Sequence, residues 1–275
     1  MITVTKSDFE RAVNVARYKD DSVFNSLSHV IDRYLATIAG DWLGSSGMKA
    51  VELDLNSALT HSYIDMACQS AFLSELRHLD LVITATGFGV VSTNDVAPAS
   101  KQRVDAVETR IRTQREFSRC DLLAELFKVE NWAEEMLPLN CVPTLFWHIN
   151  MLERFASVSS PTYDDFVRYQ SVITNTHSFL SLRIGHEYMQ ELIRQVATNS
   201  ITAADRIVII RIQRLIGLAI SGVDIAIHQE YRDLINLLDG DTATYCIYAD
   251  SKAYEINHPK VYENTQEKAT FHFVG

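Results

Sequence analysis

The chain has 275 residues, 47% of them hydrophobic, enough to bury a sizeable core in one large domain or two small ones. Only 10 Gly and 5 Pro are present, which excludes a loop-rich all-β sandwich and favours long helices. A net charge of −10, from 35 acidic and 25 basic residues, disfavours wrapping a nucleic-acid backbone but leaves room for a channel through which DNA slides.

In chain order, MITVTKSDFERAV has no apolar core of a signal peptide, and Ser7-x-x-Glu10 is a capping-box pattern for a first short helix near Asp8. Phe24, Leu27, Ile31, Tyr34, Leu35 and Ile38 recur at helical spacing, with Gly40 as a natural stop. GDWLGSSG, residues 40–47, reads as a loop, and no Lys-Ser/Thr follows it to make a phosphate loop. A long helix is predicted over Ser57–His78. Leu79, Leu81 and Ile83 then alternate with polar or flanking positions, and Gly87–Val91 returns, so a β-hairpin excursion is expected near 80–92.

Pro98 opens a helix to about Phe117, and Asp121 is positioned to cap another running to Met136. The charged stripe Lys101, Arg103, Arg110, Arg112 and Arg115 is interrupted by Asp105, Glu108 and Glu116, so it reads as a solvated face rather than a nucleic-acid surface. Leu145–Ile149 is apolar nearly all round and is expected to be deeply buried. Pro161 starts a helix through Ile184, with a break at Gly185. Thr202-x-x-Asp205 caps the next, in which IVIIRIQRLIGLAI (207–220) is the expected central core helix. A last helix covers about Val223–Leu238. Beyond Asp241 the alternation Thr242, Thr244, Cys246, Tyr248 favours a strand, and Phe271 and Phe273 share one face of a closing strand. The whole reads as mostly α: a multi-helix bundle with the hairpin excursion and an extended β-containing C-terminal arm. Its regions are 1–157, 161–240 (one continuous bundle with the first, or a second unit) and the arm 241–275.

No chemistry-bearing constellation emerges. Glu75-x-x-His78 is half of a di-iron bundle motif, but no second such motif exists. His186-Glu187 and His228-x-Glu230 are isolated pairs. Gly87-x-Gly89-x-x-Ser92 lacks the third glycine of a dinucleotide fingerprint and reads as a tight bend. Cys68, Cys120, Cys141 and Cys246 are isolated and read as buried thiols. Neither a GxSxG nor a cysteine-nucleophile signature is present. No cofactor, no metal and no catalytic residue is expected. The longest apolar runs fall well short of the ~20 residues of a membrane span.

The segment GFGVVSTNDVAPASKQRVDAV (87–107) resembles a family of uncharacterised proteins in the structural gene clusters of phages and prophages of gut Bacteroidota. It shares a GF-x-VV…PAS-x-x-RV core, a start like MITVTKSDFE and a polar, aromatic-dotted end such as YENTQEKATFHFVG. The resemblance implies a virion component assembled in the host cytoplasm: a head–tail connector, neck ring or adaptor near the portal, forming a cyclic homo-oligomer with portal or tail proteins as partners. It implies no membrane, no sequence-specific nucleic acid, and DNA passing through a lumen, which the net charge of −10 would make repellent to DNA. On that reading Phe88, Val90, Tyr254, Tyr262, Phe271 and Phe273 are candidate inter-subunit contacts. The alternative is a cytoplasmic helical enzyme or ligand-binding protein with a site built from distant residues.

Overall fold

The computed structural model describes residues 2–14, 22–79, 81–84, 87–90, 100–139 and 141–259, the strand residues 81–84 and 87–90 by their backbone alone. Helix α1 (Lys6–Ala12) starts one pair earlier than Ser7/Glu10 suggests. The Thr5 hydroxyl accepts from the Asp8 amide at 3.2 Å, and the Asp8 carboxylate accepts from the Thr5 amide at 3.0 Å. Helix α2 (Ser22–Ile38) buries Leu27, Ile31, Leu35 and Ile38 along the predicted stripe. It does not stop at Gly40. It widens into a single π turn, Ala39–Leu43, and leads into α3 (Gly44–Leu53), so the expected loop at 40–47 is helical. The change of direction comes at Gly44, whose φ of +62° suits glycine and lets Leu43 become fully buried.

Helix α4 (Ala58–Glu75) is capped by Ser57 and buries Tyr63, Ile64, Ala67, Cys68, Ala71 and Phe72. It leads to β1 (Leu81–Thr84) and β2 (Gly87–Val90), which pair antiparallel from Leu81↔Val90 to Thr84↔Gly87. Then comes α5 (Lys101–Leu126), one helix of 26 residues where the sequence suggested two. Asp121 lies inside it as an exposed side chain, because Ile111, Cys120, Leu122, Leu123 and Leu126 keep burying one face and nothing interrupts the backbone bonds. Helix α6 (Trp132–Met136) and a 3₁₀ turn (Leu137–Leu139) end this half.

Leu145, Phe146 and Ile149 are buried, as their run predicts, in an irregular segment before α7 (Asn150–Ala156). Helix α8 (Tyr163–Ile184) opens on a Thr162/Asp165 capping box and closes at Gly185, which leads directly into α9 (His186–Ala197). Helix α10 (Ala203–Ser221) packs against α7 and α8 and against α11 (Asp224–Gly240). It buries Val208, Ile209, Ile212, Leu215 and Ile216 while leaving Ile207 exposed. Two short helices follow, α12 (Cys246–Ala249) and α13 (Lys252–Asn257). One hydrophobic core runs from Val4 to Tyr248, with α4 between α2 and α5 in one part and α10 among its neighbours in the other. The Gln213 amide ties the parts together by donating to the Leu145 carbonyl at 3.1 Å.

The fold class expected from sequence is therefore corrected to a helical protein. The strand expected from Thr242 is not there: Tyr245 and Tyr248, three residues apart, are both buried on one side of a helical turn. Their hydroxyl-bearing rings, not the alternation of threonines, set the local period. Ser251 then caps α13 by accepting from the Tyr254 amide at 3.2 Å. The described part of the expected arm is thus helical and packed on the body. The two four-residue strands are the only strand among the described residues and form no sheet layer on which a core could rest. The cysteines are corrected in one case: Cys68, Cys120 and Cys141 are buried, but Cys246 is exposed.

Candidate interaction sites

Helices α4 and α5 run as an antiparallel pair joined through the β1–β2 ribbon. Helix α5 packs on α4, and over its first turns it is exposed at Lys101, Gln102, Arg103, Ala106, Thr109 and Arg110. Its root is held by charge. Arg77 at the end of α4 donates to Asp105 at 2.9 Å and to Glu108, which also pairs with Arg112 one turn on. Of the cations in the predicted stripe, Arg112 is in this ion-pair cluster, whose exposed pairs are individually weak. Phe88 and Val90 lie on β2, opposite Ile83 and Leu81, and their side chains lie outside the described residues.

A second site was not foreseen. Trp42 from the π turn, Glu116 and Arg119 from α5, Pro143 and Trp147 from the irregular segment, and Phe166 from α8 surround a recess of about 300 Å³. Arg119 sits on its floor. Its Nε donates to both Glu116 oxygens at 3.0 Å, its Nη2 to Glu116 again and to the Trp147 carbonyl at 3.1 Å. The Trp42 ring lies 5.8 Å from its guanidinium carbon. Burial opposes the charge on Arg119, but Glu116 more than offsets it and the guanidinium is held above its ordinary pKa. Trp147 packs edge-on against Phe127 at 4.9 Å, which fixes that wall. Among the described residues, neither Arg119 Nη1 nor the indole N–H groups of Trp42 and Trp147 donate to a partner. The only sequence signal was Glu116-x-x-Arg119 beside the buried Cys120, a charged pair on the face of α5 that otherwise turns inward.

A larger recess of about 450 Å³ lies beneath the N-terminal segment, between Ile2, Thr3, Leu55 and His61. Of the two acids that line it, Asp8 is engaged by Thr5 and Arg11, and Glu52 lies on the other side with Asn56 and His61.

Tyr254 is engaged within its own subunit. Its ring meets Tyr248 edge-on at 5.4 Å and stacks on His258 at 4.3 Å, whose Nε2 is 3.2 Å from Asp239. Nearby, the Asn257 amide donates to the Arg183 carbonyl at 3.0 Å and brings α13 to the last turn of α8. There Leu182 is 77% exposed and Ile256 is 70% exposed, an apolar surface at the far end of α8 from the recess. Tyr262, Phe271 and Phe273 lie outside the described residues.

The weaker motifs stay apart. Glu75 and His78 are 3.4 Å from each other at an exposed helix end, and His186 meets Ser181. Among the described residues no three His, Cys, Asp or Glu side chains converge as metal ligands. Burial drives the Cys120 thiol up to about 12 and the Cys68 thiol higher, which leaves both protonated at neutral pH. The Gly44-Ser45-Ser46 segment does present helix amides to an anion, but that anion is Glu135. It accepts from the Ser45 amide at 2.5 Å and from the Ser46 amide at 3.1 Å, and those amides hold its carboxyl below the usual range.

Residues 31–133 match a family described as a family of unknown function (DUF6712). The match covers less than half of the chain and runs from α2 into α6, so it contains α4, the ribbon and α5. No curated protein and no solved structure matches the chain.

Proposed function

We propose that this chain is a structural subunit of a phage particle, a head–tail connector, neck-ring or adaptor protein near the portal, which assembles with copies of itself into a ring in the host cytoplasm. The observation that carries the reading is the start of α5, which follows the ribbon and is exposed at Lys101, Gln102, Arg103, Ala106, Thr109 and Arg110 while Arg77, Asp105 and Glu108 fix it to the end of α4. The segment with the phage-family resemblance, 87–107, runs from β2 into the first turns of α5. Closed rings need two different surfaces that fit each other. The ribbon and the start of α5 supply one. The recess on α5 and α8, or the exposed Leu182 and Ile256, supplies a second. The net charge of −10 suits a lumen that repels DNA and lets it slide. Portal and tail proteins are the other partners, and neither catalysis nor a cofactor belongs to the reading.

Mass spectrometry of particles purified from cells carrying the gene tests it. The chain is expected in the particles at a fixed copy number far below that of the major capsid protein. Its absence from intact particles overturns the proposal.

A further inference from the structure

We propose that the recess between Trp42, Arg119, Pro143, Trp147, Phe166 and Val167 receives the aromatic C-terminal segment, residues 260–275, of a second copy of this chain. The inference rests on the ring reading and names how one subunit grips the next.

The chemistry of the recess defines what fits. Its walls are aromatic, so a flat apolar side chain finds edge and face contacts there. It offers three donors without a partner among the described residues, Arg119 Nη1 and two indole N–H groups, beside the Gln170 side chain, and Arg115 stands over the lining Tyr163 ring at 5.5 Å. The one acid in the floor, Glu116, is consumed by Arg119. Rings and hydrogen-bond acceptors in an occupant would meet these walls and donors. An extended segment brings both, because its main-chain carbonyls meet the donors while alternate side chains enter the pocket.

The sequence of residues 260–275 suits that pattern: Phe271 and Phe273 would share one side if the chain is extended, and Tyr262, Glu263 and Glu267 precede them, with Lys260 and Lys268 balancing the acids. Reach is sufficient. Sixteen residues extend to roughly 50 Å, and α13, from which they leave, is held to the last turn of α8 by the Asn257–Arg183 bond. The recess touches the first two turns of α8, roughly 25 Å away along that helix at 1.5 Å per residue. Docking on a neighbour converts each tail into a link around the ring, with many weak contacts closing together.

The experiment uses full-length chains with the exposed Cys246 replaced by Ser. One population carries Val167→Cys, at a 51% exposed position on the recess wall, and the other Phe271→Cys. They are mixed under mild oxidation and read by non-reducing electrophoresis and mass spectrometry. A disulfide-linked heterodimer that forms in the mixture, and is lost on adding a synthetic 260–275 peptide, is the expected result. A chain carrying both cysteines that closes only on itself shows the tail in its own recess and overturns the proposal, as does absence of any cross-link. Sedimentation of the unmodified chain and of Val167→Glu runs alongside. Self-association that survives Val167→Glu without cross-linking sinks the recess inference while leaving the ring reading intact. Particles lacking the chain sink the ring reading itself.

Discussion

Gly217 lies where α10 crosses α7. A Cβ built there would meet the Phe155 carbonyl oxygen at 2.2 Å and its carbon at 2.5 Å. Alanine at this helical position would gain up to about 1 kcal/mol of propensity, but the obstacle is backbone and cannot rotate away. Overpacking costs about 1–3 kcal/mol, so Gly217→Ala is expected to lower stability by about 2 kcal/mol in urea unfolding, and an unchanged midpoint would show that α7 yields freely. His177 on α8 is 6% exposed with Nε2 unpartnered, and burial lowers its pKa from 6.5 to about 4. The folded state therefore favours the neutral ring. Its contribution is complete above pH 6.5 and is lost as the pH falls towards 4, where the unfolded chain binds a proton that the folded chain refuses. A shift of that size corresponds to about 3 kcal/mol. His177→Leu should flatten the stability profile between pH 6.5 and 4, and an equal slope in both proteins would contradict the assignment. Neither property shows in the string of residues. Gly217 reads there as an interruption of an apolar helix, and His177 as one polar residue among several.

The junction of α9 and α10 shows how elements are fixed to each other. Asp205 in the first turn of α10 accepts from Tyr188 Oη at 2.6 Å, Gln195 Nε2 at 2.9 Å and Thr202 Oγ1 at 2.7 Å, while Thr202 caps the helix by accepting from the Asp205 amide at 3.0 Å. Burial, together with the Asp205 carboxylate, raises the Tyr188 hydroxyl well above its ordinary range. Asp205→Ala strands the buried tyrosine and glutamine, so a loss of about 2 kcal/mol is expected. Asp205→Asn should recover part of it by thermal melting, and equal losses for the two variants would assign the effect to the cap alone. The cap itself was legible as Thr202-x-x-Asp205, because capping is a local bond between residues three apart. The reach of the same carboxylate to Tyr188, 17 residues back, was not. The misread elements have the same origin. Asp121 resembles a cap in isolation, but the buried face of α5 continues through it. The threonines after Asp241 resemble a strand until Tyr245 and Tyr248 find the same side of the core.

For the whole molecule, the ribbon and the start of α5 are the features on which assembly is proposed to depend. Phe88→Ala is expected to weaken self-association, followed by sedimentation equilibrium, while leaving the melting temperature of the dissociated chain nearly unchanged. A large drop in melting temperature with association intact would place Phe88 in the fold of the subunit instead. The sequence by itself determined the stripe of α2, the end of α8 with its break at Gly185, the core role of α10 and the burial of Leu145, Phe146 and Ile149. Each is written in contacts between residues three or four apart, or in an apolar run that has nowhere else to go. Tertiary structure alone decided the Glu135 anion at the start of α3, the helical fold of residues 246–257, the close approach at Gly217, and the recess. The recess joins Trp42, Arg119, Trp147 and Phe166 across more than a hundred residues of chain. No periodicity encodes such a meeting. It exists because α4 and α5 and then α8 pack in one particular order around a shared core, and packing, unlike helix formation, is a property of the whole chain.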